Sequence, residues 1–160
     1  MRRIHFKGIH NYMWAFGDLI RKSDGIFIGN VDEGIYQVSE ETISEFTGLT
    51  DHTEWQDVPS DERKHLVEEY NKASGKNLSE SEFESVWVGR PIYENDILRC
   101  SHMFDPQRIF QGQVVFANGG FALYIETDDK EYCFPLSELD EFKIINLGSI
   151  FVIQEPPAQQ

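Results

Sequence analysis

The tripeptide Asn118-Gly119-Gly120 is the sequence feature that most constrains the fold. It separates two short, mainly apolar runs, residues 113–117 and 121–125. An Asn-Gly pair readily adopts the positive φ angles of the tight turn whose twist matches that of the flanking strands. The sequence therefore predicts an antiparallel β-hairpin here, and the rest of the chain must fold around it.

Further turn signals indicate β structure before residue 52 as well. Ser23-Asp24-Gly25 and Asp32-Glu33-Gly34 each precede an apolar run, and twelve Phe and twelve Gly against three Met favour short strands. We expect a mainly β protein. Residues 1–51 are predicted to form a β-meander, residues 90–154 a small closed β-barrel, and residues 155–160 a tail with nothing to bury. Residues 39–42 are predicted to be a turn followed by a strand, with a short helix as the alternative.

Residues 52–89, which we call the insertion, have a charged, helical pattern and are predicted to form a helical hairpin. Ser60 is the predicted cap of a first helix that ends at Gly75, and Ser79 with Glu82 forms a capping box for a second. The apolar faces must be covered by each other, by the β regions or by a partner, and these alternatives stay open. The residues with a predicted contact role are large aromatic ones: Trp55, Tyr70, Phe83 and Trp87.

Charge and composition exclude several classes of protein. With 14 basic against 28 acidic residues the net charge is −14, which disfavours direct binding to a nucleic-acid backbone. No apolar run approaches the ~18 residues of a membrane span, so we expect a cytoplasmic protein that does not enter a membrane. Cys100 and Cys133 are far apart and lie in strand-like runs, which predicts buried free thiols rather than a disulfide or a metal site.

Glu94 and Asp96 are the strongest candidates for chemistry. On a strand, two carboxylates two positions apart share a face, and with Asp105 they could bind a divalent metal or act in acid–base catalysis. The favoured alternative is that Asp96 shapes a turn by accepting hydrogen bonds from backbone amides. The five histidines have no metal-ligand spacing, and no nucleophile elbow, P-loop or dinucleotide motif is present. We therefore predict no catalytic residue, no metal and no cofactor.

Aromatic residues of the β regions could line a binding groove. They are Trp14, Phe16, Tyr36, Tyr93, Phe116, Phe121 and Tyr124, and the groove would lie on the predicted barrel. Core packing is the favoured interpretation, because large aromatic side chains contribute most to cores.

Several segments, in order, resemble the YopX family of phage and prophage proteins. They are the basic-apolar segment 3–7, residues 14–19, the Phe-Thr-Gly-Leu run at 46–49 with its Thr-containing approach from 42, the Ile-Tyr-Glu-Asn-Asp-Ile run at 92–97, and the Gly-x-Val-x-Phe run at 112–116. The motif positions, to which we assign structural roles, are Gly17, Asp18, Phe46, Thr47, Gly48, Leu49, Ile92, Tyr93, Glu94, Asp96 and Ile97. Two features depart from the family pattern: the insertion replaces a short turn, and Asn95 stands where Gly is usual. Asn is the residue that best tolerates positive φ in place of Gly.

The resemblance implies a phage-derived protein of a bacterial host, with an SH3-like C-terminal barrel and no established activity. We expect a non-enzymatic module for protein interaction or self-assembly, with the insertion as its contact surface. One alternative is an acidic decoy that binds a host nucleic-acid-binding protein. The other is a metal-dependent hydrolase that uses Glu94 and Asp96.

Overall fold

The structure, a computed structural model, describes residues 5–30 and 34–152, apart from the side chain of Ala73. Within these residues it has eleven β-strands in two antiparallel sheets and two α-helices, so the prediction of a mainly β protein is confirmed. The predicted tail, residues 155–160, and the Asp-Glu part of the predicted turn at 32–34 lie outside the described residues.

The first sheet has six strands. They are β1 (Phe6–His10), β2 (Met13–Lys22), β3 (Gly25–Asn30), β4 (Gly34–Gln37), β5 (Ser44–Thr50) and β6 (Pro91–Tyr93), in the order β4-β3-β2-β1-β5-β6. β1 to β4 form a meander, and a single 3₁₀ turn at Glu40–Thr42 precedes β5, as the predicted turn and strand require. β6 lies beyond the insertion yet pairs with β5, Phe46 opposite Tyr93. A boundary at residue 90 therefore does not separate the two sheets.

The second sheet has five strands: β7 (Asp96–His102), β8 (Ile109–Ala117), β9 (Gly120–Glu126), β10 (Glu131–Pro135) and β11 (Phe142–Ser149). Asn118 and Gly119 have φ angles of 55° and 83°, which confirms the predicted hairpin between β8 and β9. The order is β10-β9-β8-β7-β11, and no ladder joins the edge strands β10 and β11 in the described chain. The prediction of a closed barrel is therefore not confirmed.

The insertion contains α1 (Ser60–Ser74) and α2 (Glu80–Glu84). α2 has the predicted capping box, and α1 ends at Gly75 in the left-handed conformation. The predicted cap on α1 is wrong, because Ser60 is already helical and Pro59 stands at the cap position without a side-chain bond. Between the helices and the residues before them lies a small core of Trp55, Val58, Val67 and Phe83.

Both cysteines are free thiols, but only one is buried. Cys100 lies in the core of the second sheet, and burial raises its pKa to about 11. The prediction of burial is wrong for Cys133, because β10 is an edge strand whose five residues are all exposed. No helix in the described ranges combines the length and the apolarity needed to cross a bilayer.

Candidate functional site

Two contrasting regions lie where the insertion meets the first sheet. The first is a buried cluster of Lys7, Asp51, Asp96 and Asn146, which we call the polar junction. Its members come from β1, the end of β5, β7 and β11, so it ties together both sheets. Both carboxylates are 1% exposed.

Asp96 forms a buried ion pair with Lys7. Lys7 Nζ lies 2.7 Å from its Oδ1, and its Oδ2 accepts hydrogen bonds from the Tyr93 amide at 2.9 Å and from Asn146 Nδ2 at 2.8 Å. Lys7 Nζ also lies 4.8 Å from the ring centroid of Trp14 and 4.7 Å from that of Tyr93. The two charges are thus compensated by each other, by amides and by aromatic faces.

Asp51 holds the two ends of the insertion together. Its Oδ1 accepts hydrogen bonds from the amides of Arg90 at 2.6 Å and Thr53 at 3.0 Å. Its Oδ2 accepts from Thr53 Oγ1 at 2.6 Å and from the Asn146 amide at 2.7 Å. The Asp51 amide in turn donates to the Arg90 carbonyl at 2.8 Å. One carboxylate therefore fixes both the entry to the insertion and the exit from it.

The candidate pair Glu94 and Asp96 does not share a strand face. Glu94 and Asn95 form the tight turn between β6 and β7, and Asn95 has the positive φ, 71°, that the sequence predicts. Burial raises the pKa of the half-buried Glu94 carboxyl, and the nearby Glu45 carboxylate raises it further, although a bond to the Glu45 backbone opposes this shift. Asp105 lies in the loop after β7, where it accepts a bond from the Gln107 amide at 3.1 Å.

These three carboxylates therefore offer no common cation site. Asp96 has both oxygens engaged, and a cation would have to displace Lys7 from it. Within the described ranges, no group of three His, Cys, Asp or Glu side chains is arranged to hold a metal ion.

Most other motif residues lie around the β5–β6 ladder and β2. Thr47 Oγ1 donates to the Ile92 carbonyl at 2.7 Å, and the Phe46 and Tyr93 rings are 5.4 Å apart. Gly17 lies against the backbone of Gly29, where a Cβ would come within 2.6 Å of a carbonyl oxygen. Ile92 is buried and Ile97 half-buried, whereas Asp18, Gly48 and Leu49 are exposed.

The second region is an apolar groove of about 500 Å³ between the first sheet and the insertion. This volume lies within the range typical of ligand sites. We call it the aromatic groove because eight aromatic side chains contribute to its walls: Trp14, Phe16, Tyr36, Phe46, Tyr70, Phe83, Trp87 and Tyr93. Core packing is confirmed for Tyr93, which is 6% exposed, whereas Trp14, Phe16 and the 40% exposed Tyr36 line the groove as well. On the second sheet Phe121 and Tyr124 are half-buried, and core packing is wrong for Phe116, which is 55% exposed.

The insertion wall of the groove is held by ring contacts and polar anchors. Trp87 donates from Nε1 to the Thr53 carbonyl at 2.8 Å, and its ring centroid lies 5.0 Å from that of Trp55. The Arg90 guanidinium bonds both carboxylate oxygens of Glu62, at 3.0 and 2.8 Å, and this pairing raises the Arg90 pKa. The wall is therefore fixed relative to the polar junction.

The four predicted contact residues divide between the interior and the groove. Trp55 is buried within the insertion, and the buried Phe83 both packs there and reaches the groove wall. Tyr70 and Trp87 are half-buried and line the groove. Sequence reasoning missed Met13 and Val88 as groove residues. The run Val86-Trp87-Val88, which has no polar side chain, was the signal that could have indicated Val88.

Comparison of the chain with protein-family models, with curated proteins and with solved structures finds no match in any of the three.

Proposed function

We propose that the protein is a non-enzymatic interaction module that binds an apolar segment of a protein chain in the aromatic groove. The observation that carries the proposal is the aromatic groove itself, with its volume of about 500 Å³. Aromatic and Met side chains are enriched at protein interfaces, and Met13 and Tyr36 line the groove with exposed side chains.

The rim of the groove supports binding of a partner rather than closure by the chain itself. Val86 and Val88, one on each side of Trp87 in the sequence, both line the groove and are 42% and 72% exposed. A contiguous apolar surface of this kind is a feature of interaction sites. The ring contacts and the Arg90–Glu62 pair already fix one wall, which lowers the cost of ordering it on binding.

The state of the acidic residues supports a role without catalysis. General acid–base or metal chemistry needs a carboxylate that can reach a substrate or a cation. The carboxylate oxygens of Asp96 and Asp51 instead accept hydrogen bonds from Lys7, Asn146 and backbone amides.

We also propose that the second sheet is an SH3-like barrel and that the chain is a YopX-like protein of phage origin that acts in the bacterial cytoplasm. The support for the barrel is the order of the strands. The strands β7 to β10 pair consecutively, a 3₁₀ turn at Leu136–Glu138 follows, and β11 pairs with β7, as expected for an SH3-like barrel. The support for the family lies in the motif residues quoted above, and Asn95 performs the positive-φ role of the usual Gly.

Selection from a displayed library of random peptides tests the proposed function. We expect the full chain to enrich peptides with large apolar side chains. Val86→Lys/Val88→Lys should weaken their binding at least tenfold, because charges at the rim must be desolvated when a peptide docks. Leu147→Lys is the matched control, since Leu147 is exposed on β11 outside the groove. Failure to enrich any peptide, or equal binding to all three proteins, would refute the proposal.

A further inference from the structure

The edge strand β10 has one side without a partner strand in the described parts of the chain. It pairs with β9 on its other side, and the second sheet ends there. All of its residues are exposed. An edge of this kind presents backbone amides and carbonyls that can pair with a further strand.

The hydrogen-bond pattern of the ladder shows which backbone groups of β10 face the open edge. At the turn that joins β9 to β10, the Thr127 amide donates to the Lys130 carbonyl at 2.9 Å. Hydrogen-bonded and non-hydrogen-bonded pairs alternate along an antiparallel ladder. Tyr132 therefore directs its backbone groups to β9, whereas Glu131 and Cys133 direct theirs to the open edge.

The inward face of β10 continues the core of the second sheet but is not covered. Tyr132 lies opposite Ile125, and Phe134 lies opposite Leu123. The two β9 residues are 8% and 0% exposed, whereas Tyr132 and Phe134 are 41% and 38% exposed. The rings of Tyr132 and Phe134 stack at 6.0 Å, and Phe134 lies 6.4 Å from Phe110, which packs against the core. A strand added at this edge would therefore extend the core over a preformed pair of rings.

The outward face of β10 and the turn before it are acidic. Glu131 lies directly opposite Glu126, and two like charges in these positions are unfavourable. Asp128 and Asp129 lie in the turn between the strands, where Lys130 is the one basic residue. Basic side chains on an added strand would relieve the repulsion between the two glutamates.

The charged residues beyond this hairpin do not reverse its charge. Glu138, in the 3₁₀ turn that follows β10, is exposed and acidic. Arg108 lies over the ring of Phe142, which contacts Phe110. The acidic hairpin therefore favours a basic strand at the edge and disfavours an acidic one.

We propose that the open edge of β10 is a second binding surface, which takes an extended segment of another protein as an additional strand. The segment has basic and apolar side chains in alternation. Its backbone bonds Glu131 and Cys133, its apolar side chains cover Tyr132 and Phe134, and its basic side chains face Glu131. A second copy of this chain is a poorer occupant, because its own β10 would bring another acidic hairpin to the same edge.

This surface is distinct from the aromatic groove. The described residues that line the groove belong to the first sheet and the insertion, and β10 belongs to the second sheet. Binding at the edge and binding in the groove can therefore be tested separately.

Calorimetric titration of the full chain with a short synthetic peptide, in which lysine and valine alternate, tests the proposal. We expect binding that weakens as NaCl rises from ~0.05 to ~0.5 M, because salt screens the attraction. A peptide in which glutamate and valine alternate should bind at least about tenfold more weakly. Absence of binding by the lysine peptide, or equal binding of the two peptides, would overturn the proposal.

Methylation of the peptide backbone tests whether the edge forms strand hydrogen bonds. One version is N-methylated at every lysine and the other at every valine, and both keep all side chains. Only alternate amides of a strand face its neighbour, so one version should bind as the parent peptide does and the other should not bind. Equal affinities of the two versions would mean that the segment is not held as a strand.

Two substitutions at one position test the edge from the side of the protein. Cys133→Pro removes an amide that β9 does not use, which an edge strand tolerates, and should weaken binding at least about tenfold. Cys133→Ala is the matched control, since it keeps the amide and should bind as the wild type does. Equal melting temperatures will show that both variants are folded. Unchanged binding by Cys133→Pro, or equal loss in both variants, would contradict the proposal.

The groove variant Val86→Lys/Val88→Lys separates the two surfaces. It should bind the lysine peptide as the wild type does, and loss of binding would place the peptide in the groove instead of at the edge. A dimer of the free wild type that Cys133→Pro dissociates would make a second copy the occupant and would also overturn the proposal. Neither result affects the proposed function of the groove, which the selected apolar peptides test.

Discussion

The polar junction and the aromatic groove both lie where the insertion meets the first sheet, but they differ in burial and in polarity. The junction is buried, charged and saturated with hydrogen bonds. The groove is mainly apolar and open, and its aromatic side chains range from the buried Phe83 and Tyr93 to the 40% exposed Tyr36. Tyr93 contributes to both, because its amide bonds Asp96 and its ring faces the groove. This difference indicates that the junction stabilises the fold, whereas the groove is the surface proposed to bind a partner.

The strongest motif residues belong to the closed region. Asp96 lies within the Ile-Tyr-Glu-Asn-Asp-Ile run, and Asp51 follows the Phe-Thr-Gly-Leu run by two positions. Both carboxylates are 1% exposed and have both oxygens hydrogen-bonded. The groove rim consists of residues such as Val88 that belong to none of those runs. Substitutions in the junction should therefore impair folding, and substitutions at the rim should impair binding alone.

Asp96→Ala should have the largest effect, a loss of about 3–5 kcal/mol in the free energy of unfolding, because it leaves Lys7 buried without a counter-charge. Urea denaturation measures this loss, and adding Lys7→Met should restore part of it. Asp18→Ala, a motif carboxylate that is exposed, should change stability by less than about 0.5 kcal/mol. Equal effects of Asp96→Ala and Asp18→Ala would mean that the junction is no more important than the surface.

Gly89→Ala should cost about 2–3 kcal/mol and should affect both regions. Gly89 has φ +117° and lies between the groove and Asp51, whose carbonyl oxygen a Cβ would contact too closely. Chemical denaturation and the peptide-binding assay should therefore both register the change. Gly120→Ala, at a site with open space around it, should be neutral in both measurements. Loss of binding by Gly89→Ala without loss of stability would contradict the expected contact between its Cβ and the Asp51 carbonyl oxygen.

Trp87→Phe should cost about 1–2 kcal/mol, because the smaller phenyl ring loses part of the packing against Trp55 and the hydrogen bond to the Thr53 carbonyl. Thermal denaturation measures the loss. The control is Val88→Ala at the adjacent exposed position, with an expected change below about 0.5 kcal/mol. A larger cost for Val88→Ala would show that the rim stabilises the fold after all.

Glu94→Gln should have the smallest effect and the opposite sign, a gain below about 1 kcal/mol at pH 7 after solvent screening. Burial raises the pKa of Glu94 above its ordinary 4.5 in the folded chain, so the unfolded chain ionises first as the pH rises. Wild type therefore loses stability relative to the variant as the pH rises through the folded pKa, and the two are equal below 4.5. Urea titrations at about pH 4 and pH 7 test this. A gain that persists at the lower pH, or an equal gain from the exposed Glu138→Gln, would contradict the burial argument.

Local features of the fold could be predicted from the sequence, and pairings between distant residues could not. Asn118-Gly119, Gly75 and the capping box at Ser79 each act within a few residues, and each is present. Lys7 and Asp96 are 89 positions apart, and nothing in either neighbourhood indicates the other. Alternation places an aromatic residue on a strand face, but it does not show whether that face lies against a core or a groove. Trp14 and Tyr36 were misassigned for this reason.

Asp51 and Arg90, which flank the insertion, form what we call its neck, and this neck bears on which insertions the β framework can accept. Asp51 and Arg90 are joined by reciprocal backbone and side-chain bonds, so the chain leaves the β framework and returns to it at a single point. A change in the length of the segment between them therefore costs little loop-closure entropy. We therefore expect the neck to tolerate a different folded unit with adjacent termini, provided that the Asp51–Arg90 bonds are kept.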